Sequence, residues 1–134
     1  LKNVQFIPYQ DKKDLIYSLN AGDVHWVVNA KGIKGVSVPS KLYGVMAAGK
    51  TVFGVLEQGS EARLIIEDCN CGICVEPGSY ELIYQELMNV IDNIDKYKSL
   101  GIKGKEYVDN YIKKDVAIKK YSKEILCEGN PEKY

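Results

Sequence analysis

The amino-acid sequence predicts an α/β fold, a doubly wound parallel sheet followed by C-terminal helices. Three observations carry that reading. Strand-like and helix-like periodicities alternate from Asn3 to Gly78, the pattern of a parallel sheet whose right-handed crossovers lay helices on both faces. The strand candidates DVHWVV (23–28) and TVFGVL (51–56) are almost continuously apolar, as strands covered on both faces are. Beyond Ser79 the apolar spacing is helical to the end.

Each element has its own signal. NVQFI (3–7) reads as a first strand, stopped by Pro8. Asp11 can cap a helix running to about Leu19, with Leu15, Ile16 and Leu19 on one face. DVHWVV follows as a strand, then a Gly- and Lys-rich loop, NAKGIKGVSV (29–38). Pro39 and Ser40 open a helix that Gly49 ends. TVFGVL is the next strand, SEARLIIEDC (60–69) the next helix, and GICVEPG (72–78) a short strand closed by Pro77. Helices are expected over 81–91, about 93–113 and 115–127, with GNPEKY as a tail. The chain thus reads as one truncated domain: α/β units over 1–78, helices over 79–128 and a tail over 129–134.

Length and charge bound the partners. A chain of 134 residues is about one domain with a real core. Eighteen basic and eighteen acidic residues cancel, so no net field recruits nucleic acid or an anionic membrane. No apolar run approaches the roughly 18–20 residues of a membrane span. The chain opens at Leu1 directly on a strand signal, which reads as a piece of a longer protein.

In doubly wound sheets ligands bind outside the carboxyl ends of the strands. That selects four loops: Pro8–Gln10, Asn29–Ser40, Glu57–Glu61 and Glu76–Ser79. The second is longest and richest in Gly and Lys. It ends at Pro39-Ser40-Lys41, where backbone N–H groups, the Ser40 hydroxyl and the Lys41 charge suit an anion. The competing reading is a solvated lysine beside an ordinary Pro-Ser helix start. GVMAAGKT (44–51) spells G-x-x-x-x-G-K-T, the phosphate loop of nucleotide hydrolases. A phosphate loop needs a strand before its first Gly and a helix after its Lys-Thr. Here Gly44 falls inside a helix and Thr51 opens a strand, so Lys50 sits at the opposite rim from the ligand crevice.

Cys69, Cys71 and Cys74 form C-x-C-x-x-C, with Cys127 far along the chain. Structural zinc favours two paired knuckles, so these read as buried reduced thiols. His25 lies in an apolar strand with no acidic partner nearby and reads as a core residue. The tyrosines after residue 80 read as core and surface.

The stretches GVSVPSKLYGVMAAGKTVFGV (35–55) and GSEARLIIEDCNCGICVEPGS (59–79) resemble the carboxy-terminal, donor-binding domain of GT-B fold glycosyltransferases. They are similar to the retaining group 1 (family 4-like) enzymes of bacterial capsule and exopolysaccharide synthesis. The opening NVQFIPYQDKKDLIYSLNAGDV (3–24) resembles the preceding unit of that domain. The resemblance implies a Rossmann-like half of the GT-B fold that holds a UDP- or GDP-linked sugar. It places Phe6, Ile7, Pro8 and Tyr9 at the nucleobase, and Gly35, Val38, Ser40 and Lys41 at the diphosphate. It places Ser60 and Glu61 at the ribose or sugar; read from the residues alone, Glu61 is equally a first-turn glutamate that stabilises its helix.

The activity so implied is glycosyl transfer with departure of a nucleoside diphosphate, without a cofactor or an obligatory metal. The acceptor and any catalytic base would come from an amino-terminal domain absent from this chain, and no catalytic residue is assigned. The resemblance further implies a cytoplasmic location, with peripheral contact to the inner face of the plasma membrane in the full protein. One departure motivates a rival reading. Many retaining relatives carry two glutamates seven residues apart, whereas Asn29 to Lys50 holds no acidic residue, with Lys34 and Gly44 at about those positions. A module of the same fold that binds nucleotide without transfer is therefore the alternative.

Overall fold

The computed structural model describes residues 2–128. Three parallel strands, β1 (Val24–Val28), β2 (Thr51–Val55) and β3 (Gly72–Val75), lie in the order β1-β2-β3. Val24 pairs with Thr51 and Val28 with Val55, while Val52 pairs with Gly72 and Val55 with Val75. The chain reaches β1 through a 3-10 turn (Lys12–Asp14) and α1 (Leu15–Ala21). α2 (Lys41–Ala47) and α3 (Glu61–Cys69) are the crossovers.

Period-two alternation sends each strand's side chains to two cores. Val27 and Val52 join Leu42, Val45 and Met46 of α2 and Ala62, Ile65 and Ile66 of α3 on one face. Phe53, Val55 and Val75 face the other way, with Val90 of α4 (Tyr80–Asp92) and Tyr97 of α5 (Ile94–Lys98). Phe53 stacks on Trp26, ring centroids 5.1 Å apart. Helices cover both faces, as the apolar strands predict. α6 (Leu100–Tyr107) then returns to the first face, where a Cβ at Gly104 would already touch Met46 and Cys71.

The structure corrects three expectations. NVQFI is not a strand: residues 4–10 carry no regular structure, and Phe6, Ile7 and Tyr9 are 97%, 72% and 96% exposed. A strand is held by ladder bonds to a neighbour; this segment does not pair with β1, so its alternation has no face to bury. The helix expected over 93–113 is three pieces, α5, α6 and a π-helical turn (Val108–Ile112). Ser99 accounts for the first break, folding its hydroxyl back onto Lys96 O at 2.7 Å. α2 is also shorter than expected, because Pro39 and Ser40 precede it and Ala48 caps it. α7 (Lys114–Glu128) completes the described chain, and the expected tail lies outside the described residues.

Candidate functional site

Three of the four carboxyl-end loops are joined by hydrogen bonds. Asn29 N donates to Val55 O at 3.1 Å, and Asn29 Nδ2 donates to Ser37 O at 3.2 Å. Lys34 N donates to Glu57 Oε2 at 3.0 Å, and its ammonium donates to Gln58 O at 2.8 Å. Gln58 N donates to Glu76 Oε2 at 3.0 Å. Arg63 of α3 closes the set, reaching Leu56 O, Glu76 and, at 2.7 Å, Glu67. Backbone N–H groups, chiefly that of Gly32 with those of Lys34 and Ile33, hold the Glu57 carboxyl below its usual range, and the Lys31 charge adds to this. The ties of Lys34 to Glu57 and Gln58 and of Gln58 to Glu76 are not visible as a sequence motif, since the partners lie 18 to 24 residues apart.

Gly35, in the left-handed region at φ 76°, and Val38 lie on the first of these loops. Ser40 and Lys41 follow, both exposed. Ser40 makes no capping bond, because its backbone is already helical (φ −59°, ψ −25°) and the hydroxyl cannot reach the first-turn N–H groups. No ion pair among the described residues includes Lys41. Ser60, before α3, is 7% exposed and its Oγ has no hydrogen-bond partner. A buried hydroxyl without a partner is uncommon, and this one lies in the loop joining a strand's carboxyl end to its helix.

The remaining predicted residues separate from this group. Phe6, Ile7, Pro8 and Tyr9 are exposed in the N-terminal coil, whose Gln10 side chain bonds back to Pro8 O at 2.8 Å. Among the described residues no hydrogen bond joins them to the loops beyond β1, β2 and β3. Glu61 faces sideways into a cleft shared with Tyr43, Tyr107, Tyr111 and Tyr121. The sequence reading missed these tyrosines; the only available signal was the four-residue spacing of Tyr107 and Tyr111.

The opposite rim is used up by the fold. Gly49 turns the chain at φ 68°, Lys50 N bonds to Val45 O, and buried Thr51 donates its hydroxyl to Tyr97 O at 2.5 Å. The phosphate-loop letters therefore span a helix, a turn and a strand start, in the order opposite to a phosphate loop. His25 bonds through Nε2 to Leu19 O at 2.8 Å, and burial lowers its pKa. Cys71 and Cys74 are pushed up to about 12 by burial, which makes them inert thiols of the interior.

No protein-family model and no solved structure matches the chain. WcaI of Escherichia coli (strain K12), named for glycosyl transfer in colanic acid biosynthesis, is 27% identical over 126 residues, 93% of this chain and 30% of its own length. WbjE of Pseudomonas aeruginosa, named as a glycosyltransferase, is 41% identical over 56 residues, 42% of this chain and 14% of its own. The chain therefore spans less than a third of the curated relatives it matches. Among the described residues no helix is long and apolar enough to cross a membrane. An α/β chain with helices on both faces of its parallel sheet is thus similar in sequence to two proteins named as glycosyltransferases.

Proposed function

We propose that this chain is the donor-binding domain of a retaining glycosyltransferase of bacterial cell-surface polysaccharide synthesis, and that it holds a nucleoside-diphosphate sugar at the carboxyl rim. The observation that carries this is the pairing of Ser40 and Lys41 with a long loop whose backbone is pinned by Glu57. Lys41, without an ion pair among the described residues, follows Ser40 at the end of the loop that carries Gly35 and Val38, a set that suits a diphosphate. Ser60 would supply a second hydroxyl toward ribose or sugar.

In transfer the bond from the anomeric carbon to the diphosphate oxygen breaks, and the electron pair leaves with the nucleoside diphosphate. Charge grows on that oxygen, and a fixed cation with oriented donors stabilises it without reorganising. The acceptor and any base belong to the rest of the protein under this reading. The exposed Phe6–Tyr9 segment is not part of the site proposed here. The lack of any acidic residue from Asn29 to Lys50 favours a second reading, a module that binds donor without transferring it.

Titration with UDP, GDP and ATP, with and without magnesium, tests the assignment. Lys41→Ala is expected to weaken UDP or GDP binding about tenfold, the loss of one charge-assisted contact, while Lys50→Ala leaves it unchanged. Sensitivity to Lys50 but not Lys41 would overturn the proposal. A full-length protein that binds donor yet neither transfers nor hydrolyses it would favour the second reading.

A further inference from the structure

The cleft beside Glu61 has a chemistry of its own. It encloses about 660 Å³, within the usual range of small-molecule sites. Its walls come from α2, α3, the end of α6, the π-helical turn and α7. Four tyrosines line it: Tyr43, Tyr107, Tyr111 and Tyr121. Lys113 N reaches back to Val108 O at 3.0 Å, the widened bond of the π turn, and the Tyr107 and Tyr111 rings stand 5.2 Å apart, tilted by 40°. π turns recur at functional sites because they re-aim side chains at a cost to the helix.

Two carboxylates, Glu61 and Glu124, and one ammonium, Lys120, share the cleft. The excess of negative charge disfavours a diphosphate or an acidic sugar. Tilted aromatic faces flanked by hydrogen-bond acceptors suit a ligand with apolar C–H faces and hydroxyl donors around its edge. We propose that this cleft binds an uncharged saccharide unit, stacked on Tyr111 and Tyr121 with its hydroxyls donating to Glu61 and Glu124. Burial, and then the nearby Cys69, Tyr43 and Glu61, keep the Tyr107 hydroxyl protonated and able to donate. The proposal stands on the cleft's residues and does not need the nucleotide site at the carboxyl rim.

Saturation-transfer NMR on the whole chain tests it, with the methyl glycosides of glucose, galactose and mannose as probes and glucuronate as the charged control. At least one uncharged glycoside is expected to receive saturation, and glucuronate to receive less. Tyr111→Ala and Tyr121→Ala are each expected to weaken that binding about tenfold, as loss of a stacking face does, while the Phe variants retain most of it. Both rings are more than half exposed, so the thermal midpoint should hold and separate lost binding from lost folding. Absence of transfer from all three glycosides, or transfer that survives both Ala substitutions, overturns the proposal. So does tighter binding of UDP or GDP than of any glycoside when that binding depends on Tyr121. Nucleotide titration of Lys41→Ala reports on the donor site separately.

Discussion

The two rims of the sheet treat their polar groups differently. At the amino rim, Gly49, Lys50 and Thr51 are committed: Lys50 N to Val45 O, the Thr51 hydroxyl to Tyr97 O, and the turn itself against α6. At the carboxyl rim the loops are tied to one another, yet the Ser60 hydroxyl lacks a partner, Ser40 caps nothing and Lys41 stands outside the described ion pairs. Groups that the fold already uses stabilise the chain, and groups it leaves unused are the ones available to a ligand. The criterion separates the Thr51 hydroxyl from those of Ser40 and Ser60, whereas the ammonium groups of Lys41 and Lys50 both stand outside the described ion pairs.

The comparison breaks most easily at the amino rim. A Cβ on Gly101 would collide with Gly49 O and the Lys50 backbone, and backbone cannot step aside as a side chain tip can. Gly101→Ala is expected to cost about 3 kcal/mol in urea unfolding, the upper part of the usual overpacking range. Thr51→Val keeps the shape but removes one of the donors to Tyr97 O, another being the Ser99 N–H, at a cost of about 1 kcal/mol. If either substitution weakened nucleotide binding without lowering stability, the division between rims would fail.

The carboxyl rim gives the smallest and most local effect. The carboxyl of Glu57 is held below its ordinary value of 4.5 by the backbone N–H groups of Gly32, Lys34 and Ile33. A lowered folded pKa means that the loop tie is complete above the ordinary glutamate value and is lost as pH falls through the lower, folded one. Amide shifts of Gly32, Ile33 and Lys34, followed from about pH 7 to about pH 3, should therefore move together at the acid end, with the rest of the sheet unchanged. Glu57→Gln should remove that transition. A transition that persists in the Gln variant would assign the tie elsewhere.

Much of the scaffold was legible because it rests on local periodicity. The strands at β1, β2 and β3 and the helices α3 and α4 follow from apolar spacing and from Gly and Pro punctuation. NVQFI misled for the same reason: alternation says that a segment suits a sheet, and only a partner decides whether it joins one. The π turn was illegible because 107–112 keeps a helical spacing of apolar residues while its hydrogen bonds change register. Site legibility divided in the same way. Lys41 and Ser40 are proposed from a rule about strand ends, and Lys50 was set aside by the order of its neighbours. The Lys34–Glu57 tie and the tyrosine cleft needed distances across 23 residues and across five helical segments, which no single stretch of sequence contains.

β1 has a further consequence. It is one of the two edges of the sheet, with Trp26 and Val28 41% and 55% exposed beside a row of backbone donors and acceptors that β2 does not reach. Such a margin is a template on which another extended chain can crystallise its own hydrogen bonds. The strand that opens the long loop of the candidate site is thus also a margin on which a further strand could pair.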